Sequence, residues 1–222
     1  MILLFLQSLI ATVEALDPIV AQRSADALVF LLQAPGNCLI SATDIPANAP
    51  SKNLAALWIR AAFHDAGTWD PADEANKGGA NGHTIYTLDE PDNAGLDQTL
   101  ANQRITGRNN YNISNADLIA LGGAVTVTHC GGPKIPFRGG RVDVDPNTTP
   151  IETLKANTAR LPSGNDNYET VKTKMLRMGF SFADIAALGT NFNANQSDWV
   201  TLYGRSPSGH FPKVDRSRVC SI

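Results

Sequence analysis

An arginine and a histidine four residues apart are the residues of this chain whose types and spacing most clearly point to joint chemistry. They are Arg60 and His64, in the run LAALWIRAAFHDA at 54–66. The run contains no Gly or Pro, carries apolar residues at helical spacing and is followed by Gly67, so we predict a helix that ends there. Residues four apart lie on the same face of a helix. The spacing therefore predicts a permanent cation beside an imidazole.

This pair is suited to removing a proton from a small substrate. A nearby cation disfavours protonation of the imidazole, which leaves a neutral base near pH 7. The same cation can stabilise the anion that forms when the substrate loses its proton. The spacing alone also allows a structural interpretation, in which Arg60 reaches solvent or pairs with Asp65 and His64 caps the helix end.

The longer string R-A-A-F-H-D-A-G-T, which begins at Arg60, carries a more specific pattern. It resembles the distal helix of haem peroxidases of the plant, fungal and bacterial superfamily, where an arginine, two apolar residues, an aromatic residue and a histidine follow one another. The resemblance implies an all-α, haem-peroxidase-like helical fold with haem b as cofactor. It also implies Arg60 and His64 as the catalytic pair, and Arg60, Phe63 and His64 as the residues beside the haem.

A second motif, D-N-A-G-L, begins at Asp92. It resembles the short segment of the same superfamily whose asparagine hydrogen-bonds the distal histidine, and this implies Asn93 as a third catalytic residue. An amide oxygen that accepts the N–H of one ring nitrogen would leave the other nitrogen free to act as a base. Taken alone, Asn93 could equally be the N-cap of a helix over 96–103.

No metal ion is expected from the sequence. In relatives that bind calcium, the aspartate after the distal histidine and a downstream Gly-x-Asp-x-Ser segment supply oxygen ligands. Asp65 is present here, but Asn81 and His83 stand where aspartate and serine are wanted. The resemblance therefore gives no support for calcium, and this loop is more similar to that of the intracellular branch.

Two Ser-x-x-Asp patterns, at Ser114 and Ser181, predict the first turns of two further helices. The progression from A-D-L-I-A-L at 116–121 to G-R-V-D at 140–143 resembles the fourth helix of the superfamily and the turn after it, most closely in the fungal extracellular branch. We expect Arg141 and Asp143 to form a structural ion pair.

The resemblance ends shortly after the segment G-F-S-F-A-D-I-A-A-L-G at 179–189. In the superfamily this segment leads into the proximal histidine that ligates the haem iron, but the position in register is Phe192, and the only later histidine is His210. We therefore expect a peroxidase-like domain at 16–190, with its distal half complete and its proximal half truncated, and a divergent, foreign or mis-spliced tail at 191–222.

Composition restricts the class of protein. The 222 residues, 43% of them hydrophobic, can form one fairly large domain, and the net charge of −3 gives no basic footprint for nucleic acid. The apolar run at 1–15 ends in a small-x-small pattern and predicts a signal peptide, although an ordinary apolar helix is the alternative. No other stretch is long enough to span a bilayer, so we expect no membrane partner.

Two further residue types fit an extracellular protein. Asn-x-Ser/Thr triplets occur at Asn112, Asn147 and Asn195, as in a glycoprotein. Of the three cysteines, we expect Cys38 and Cys130 to form a disulfide and Cys220 to be left over.

The sequence thus predicts a secreted haem peroxidase that reduces hydrogen peroxide and oxidises an unidentified reducing substrate by single electrons. In this interpretation His64 moves the proton, Arg60 stabilises the developing negative charge, and Asn93 orients His64. Two alternatives stay open: a catalytically impaired secreted remnant that lacks the proximal haem ligand, and a secreted helical binding module.

Overall fold

The structure, a computed structural model, describes residues 16–33, 54–97, 99–100, 112–163 and 166–189, without the side chains of 186–189. Within these ranges all regular structure is helical, which confirms the all-α prediction. None of the helices in the described ranges is both long and apolar enough to cross a membrane. The predicted signal peptide and tail, and with them Phe192 and His210, lie outside the described residues.

Six α-helices and two 3₁₀ turns have defined bounds in the described ranges, and residues 97, 99 and 100 are helical as well. These bounds are α1 Pro18–Leu32, α2 Leu54–Ala66, the 3₁₀ turn His83–Tyr86, the 3₁₀ turn Pro91–Asn93, α3 Asn115–His129, α4 Ile151–Thr158, α5 Tyr168–Arg177 and α6 Phe182–Gly189. The core lies where α3 packs against α1 and α2. This packing places α2 in the interior, so its residues are held in fixed positions.

Side-chain caps set where several of these helices begin. Asp17 accepts a hydrogen bond from the backbone N–H of Ile19 (2.8 Å) at the start of α1. Ser114 accepts one from Asp117 N (3.1 Å) at the start of α3, as its Ser-x-x-Asp pattern predicts. At α6 the cap is reciprocal, because Ser181 Oγ accepts from Asp184 N while the Asp184 carboxylate accepts from Ser181 N.

The contact between α2 and α3 depends on a glycine. Trp58 of α2 is fully buried, and a Cβ added at Gly122 of α3 would lie 2.1 Å from Trp58 Cε3. One turn further along α2, a Cβ added at Gly123 would lie 2.8 Å from Ala62 Cβ. Two successive glycines on α3 thus allow the two helices to approach closely enough to bury the indole.

The expected ion pair between Arg141 and Asp143 is wrong. Arg141 Nη1 lies 2.9 Å from Asp117 Oδ1 instead, and Asp143 accepts from the backbone N–H groups of Asn115 (2.9 Å) and Ala116 (2.8 Å). The first turn of a helix leaves N–H groups without intrahelical partners, and the Asp143 carboxylate satisfies two of them. Asp117 is almost fully buried and therefore takes the cation.

Two arginines hold the chain that follows α2. Arg160 Nη1 donates to the carbonyls of Thr68 (3.1 Å) and Asn76 (2.9 Å), and Arg177 Nη2 donates to the carbonyl of Gly67 (3.0 Å). Both arginines come from the region of α4 and α5. These bonds satisfy carbonyls in the irregular segment after α2 and fix the end of that helix.

Cys130, at the end of α3, is disulfide-bonded. The two other cysteines of the chain, Cys38 and Cys220, lie outside the described residues. The pairing of Cys38 with Cys130 therefore stays a prediction.

The Gly122 contact gives a prediction for stability. Gly122→Ala adds a methyl group where no space exists, and overpacking of this kind costs roughly 1–3 kcal/mol or more. The better helix propensity of alanine, about 1 kcal/mol, offsets part of that cost. We expect a net loss in the free energy of unfolding, measured by urea denaturation.

A smaller aromatic side chain at position 58 provides a control. Trp58→Phe removes the outer ring atoms nearest to the added methyl group, so the double variant should lose less than the sum of the two single losses. A Gly122→Ala protein as stable as the parent would contradict the close contact.

Candidate active site

Helix α2 carries Arg60 and His64 on one face, as the sequence predicts. Arg60 Nε donates to His64 Nε2 across 3.3 Å. His64 is buried, with 8% of its surface exposed, whereas Arg60 and Phe63 are half-buried. The ring centroids of Phe63 and His64 lie 6.2 Å apart at an interplanar angle of 66°. The three residues named by the distal-helix pattern therefore lie together.

Asn93, the last residue of the 3₁₀ turn Pro91–Asn93, lies beside His64. Its Oδ1 lies 2.8 Å from His64 Nδ1, and its Nδ2 donates to the backbone carbonyl of Thr87 (2.8 Å) and to Thr87 Oγ1 (3.1 Å). A carbonyl only accepts, so the amide nitrogen must face Thr87 and the amide oxygen must face His64. The side chain of Asn93 therefore binds the imidazole and does not act as the helix cap that the sequence alone allowed.

These bonds assign the tautomer of His64. Nδ1 faces an acceptor and carries the proton, while Nε2 faces the N–H of Arg60 and does not. The pKa of His64 is lowered to about 4: burial is the largest cause, the hydrogen bond that Nδ1 donates to Asn93 opposes it, and the Arg60 cation adds to the lowering. At neutral pH the site thus holds an uncharged imidazole whose Nε2 can accept a proton.

The guanidinium of Arg60 is held by backbone carbonyls. Nη1 donates to Ala94 O (2.8 Å), and Nη2 donates to Asp92 O. Burial lowers the pKa of Arg60, and the Asp92 charge raises it. The alternative in which Arg60 pairs with Asp65 is therefore wrong, because Asp65 binds a different set of donors.

Asp65 is 1% exposed and anchors the segment 82–84 to the end of α2. Its carboxylate accepts from Gly82 N (3.0 Å), Thr84 N (3.3 Å) and Thr84 Oγ1 (3.0 Å), and His83 Nδ1 lies 3.2 Å from Oδ1. Three hydrogen bonds and the adjacent imidazole together stabilise the buried charge.

The residues that stand at the positions of a calcium site do come together, as a hydrogen-bonded cluster. His83 Nδ1 lies between Asp65 Oδ1 and Asn81 Oδ1, at 3.2 and 2.9 Å. The described residues include no group of three or more His, Cys, Asp or Glu side chains placed to hold a metal ion.

Hydrogen bonds connect Asp65 back to His64 through the intervening loop. Thr84 Oγ1 donates to Asp65, Thr87 Oγ1 donates to the Thr84 carbonyl (3.4 Å), and Asn93 bridges Thr87 and His64. Since His64 and Asp65 are neighbours in the chain, these hydrogen bonds and the backbone together form a closed ring. We call the residues His64, Asp65, Thr84, Thr87 and Asn93 the distal ring.

Sequence reasoning missed Thr84, Thr87 and the contact of His83 with Asp65. Threonine and histidine in a polar loop give no periodic signal, and their partners are set by how the loop folds back on α2. The only indication in the sequence was the position of G-H-T, at 82–84, at the end of the glycine-rich stretch 78–82.

The distal residues fit a haem. They provide a base with a bare nitrogen, an adjacent cation and a half-exposed aromatic ring on one helix. The other histidines in the described ranges are His83, which is bound to Asp65, and His129, which ends α3. The expected axial position, Phe192, lies outside those ranges.

Comparison with known proteins agrees with this geometry. The family model described as peroxidase matches residues 41–192. The chain is 37% identical over 147 residues to L-ascorbate peroxidase 5, peroxisomal, of Arabidopsis thaliana, covering 65% of this chain and 49% of that protein. It is 35% identical over 133 residues to the mitochondrial cytochrome c peroxidase of Candida glabrata, covering 59% and 35% of the two chains. A candidate heme-binding peroxidase of Yarrowia lipolytica is 36% identical over 138 residues, or 61% and 44%. The chain spans about half the length, or less, of these curated relatives.

The prediction that the protein is extracellular is wrong. Two of these similar proteins are named as peroxisomal and mitochondrial. The run at 1–15 was a weak signal because it lacks the basic residues that normally open a signal peptide, and an apolar run of that length also occurs in ordinary helices.

The pKa of His64 predicts how stability depends on pH. The unfolded chain takes up a proton at this residue near pH 6.5, whereas the folded chain does so only near pH 4. Stability should therefore fall as the pH falls from 6.5 to about 4, by roughly 3 kcal/mol in total from this residue.

Urea unfolding of the parent and of His64→Gln at several pH values checks this expectation. Glutamine does not titrate, so the variant should lose less stability than the parent across that window. Equal losses in the two proteins would show that His64 does not have the lowered pKa.

Proposed function

Because the chain belongs to the haem peroxidase superfamily, we propose that it reduces hydrogen peroxide at a bound haem and oxidises a reducing substrate by single electrons. The observation that carries the proposal is the bare Nε2 of His64, which is held beside the Arg60 cation by the bond from Nδ1 to Asn93. The similar proteins are named for ascorbate and for cytochrome c. Both are one-electron donors, and this is the class of substrate we propose.

Haem b is the cofactor in this proposal, and Arg60, Phe63 and His64 are the residues that would face it. When bound, the haem would supply the iron that holds the peroxide and the electrons that reduce it. The polypeptide provides the proton transfer and the charge stabilisation.

His64 acts as the base and then as the acid. Its Nε2 accepts a proton from the peroxide oxygen that binds first, and returns this proton to the oxygen that leaves as water when the O–O bond breaks. Burial favours this sequence, because the low pKa of His64, about 4, keeps the nitrogen unprotonated at neutral pH. Asn93 contributes by holding Nδ1 protonated, so that Nε2 is always the basic nitrogen.

Arg60 supplies a fixed positive charge. Its Nε–H donates to His64 Nε2, the nitrogen that must accept the peroxide proton, so this hydrogen bond must open when the proton arrives. The Arg60 cation beside that nitrogen can then stabilise the negative charge on the peroxide oxygens.

A second candidate function follows from one residue of the sequence. Phe192 stands where the superfamily places the histidine that ligates iron, and phenylalanine cannot ligate a metal. The alternative is a catalytically impaired remnant that retains the distal ring but does not turn over.

Haem reconstitution followed by rapid mixing with hydrogen peroxide separates these candidates. The peroxidase proposal requires a Soret band that changes on mixing, and it requires His64→Leu to slow that change by about 10²–10⁴-fold. The matched control is His129→Leu, the same substitution at a histidine outside the site, which should keep the parent rate. A missing Soret band would favour the remnant, and a parent-like rate in His64→Leu would refute the proposed role of the histidine.

A further inference from the structure

His83 is a buried histidine that the proposed reaction does not use. It is 1% exposed, like the Asp65 carboxylate beside it. Its Nδ1 lies 3.2 Å from Asp65 Oδ1 and 2.9 Å from Asn81 Oδ1, and its backbone N–H also donates to Asn81 Oδ1 (3.2 Å). An imidazole held this closely by two oxygens has a defined orientation.

The neighbours of His83 assign its proton. Both oxygens next to Nδ1 can act as acceptors, so Nδ1 must be the donor. Nε2 is buried and has no hydrogen-bond partner among the described residues. Among the described residues, the polar contacts of the imidazole therefore lie on its Nδ1 side, toward Asp65 and Asn81.

Asp65 also holds the start of the 3₁₀ turn His83–Tyr86. It binds Gly82 N and both the N–H and the hydroxyl of Thr84, so the carboxylate fixes the position at which the 3₁₀ turn His83–Tyr86 begins. The Nδ1 of His83 lies against this carboxylate, 3.2 Å from Oδ1. Removing the imidazole would leave the buried charge with one polar contact fewer, and the carboxylate would turn toward the hydrogen-bond donors that remain.

The turn then determines how Asn93 is held. The Thr84 carbonyl accepts both the N–H (3.2 Å) and the hydroxyl (3.4 Å) of Thr87, and Thr87 in turn receives both N–H bonds of the Asn93 amide. A shift of Thr84 would therefore move the acceptors of Asn93. The bond from Asn93 to His64 would lengthen as a result.

We propose that His83 is a positioning residue for His64: through Asp65 and the turn that Asp65 anchors, it keeps the distal ring closed and His64 in its Nδ1–H tautomer. The effect on rate rests on the proposed function, whereas the effect on the tautomer does not. The charge of His83 also acts on the pKa of His64 directly, but the proposed effect on the tautomer depends on Asp65 and the distal ring.

The unmodified protein provides the first test. Long-range ¹H–¹⁵N spectra distinguish a protonated from a bare nitrogen in each imidazole ring, and they need no haem. The proposal requires both His83 and His64 to be Nδ1–H tautomers at pH 7. A His83 ring protonated at Nε2 and bare at Nδ1 would overturn it.

Two substitutions at the same position provide the second test. His83→Leu fills much of the volume but donates no hydrogen bond. His83→Asn places an amide N–H at the same number of bonds from Cβ as Nδ1, so it can restore an N–H that faces Asp65 and Asn81. We expect mixed tautomers of His64 in His83→Leu and the parent tautomer in His83→Asn.

A control separates lost stability from lost positioning. Asn157 is as buried as His83 and exchanges hydrogen bonds with Asn76, outside the distal ring. Asn157→Leu should lower the melting temperature and leave the His64 tautomer unchanged. If His83→Leu behaves in the same way, His83 only fills space and the proposal fails.

The peroxide reaction gives a separate measure. In haem-reconstituted protein, His83→Leu should slow the reaction about tenfold or more, and His83→Asn should recover most of the rate. Tautomers that change as expected in a protein that never reacts with peroxide would refute the proposed function and support the positioning role. A parent-like tautomer in His83→Leu would refute the positioning role whatever the rate.

Discussion

The rotation of α2 about its own axis is the constraint on which the site depends. Trp58 and Asp65 are seven residues apart, about two helical turns, so they project from the same side of the helix. Trp58 is fixed there against Gly122 of α3, and Asp65 is fixed by three hydrogen bonds from Gly82 and Thr84 and by its contact with His83. Because Trp58 and Asp65 are both buried, α2 cannot rotate about its axis. His64, one residue before Asp65, must then point toward Asn93.

The same burial sets the chemistry of His64. Removal from water is the largest cause of its low pKa, about 4, and the charge of Arg60 is a smaller one. A base in such a place is weak, but it is almost entirely unprotonated at neutral pH. The hydrogen bond from Nδ1 to Asn93 raises the pKa, against the effect of burial, and it also keeps the proton of the neutral ring on Nδ1. The imidazole is therefore both uncharged and oriented. Packing therefore contributes to reactivity as directly as the charged residues do.

The sequence was informative where structure is local. The helix over 54–66 has the predicted bounds, because its apolar spacing and Gly67 are read within a single segment, and the caps at Ser114 and Ser181 follow from four-residue Ser-x-x-Asp patterns. Contacts across the fold were not predictable in this way. Arg141 pairs with Asp117 rather than with Asp143, because proximity in sequence does not decide which carboxylate is buried. The contact of Asp65 with His83 depends on a loop without periodicity, and the only route to Asn93 was resemblance.

The turn Pro91–Asn93 holds both members of the catalytic pair at once. The carbonyls on either side of Asn93, those of Asp92 and Ala94, accept from the two terminal nitrogens of Arg60, while the Asn93 side chain accepts from His64. Only a guanidinium can bind two carbonyls and still direct a third N–H, from Nε, at the imidazole; a lysine ammonium lacks that planar fork. Because α2 is fixed by its own packing, a displacement of the turn would stretch the bonds to Arg60 and to His64 at the same time. The base and the cation that the proposed proton transfer needs are therefore both aligned by one three-residue turn.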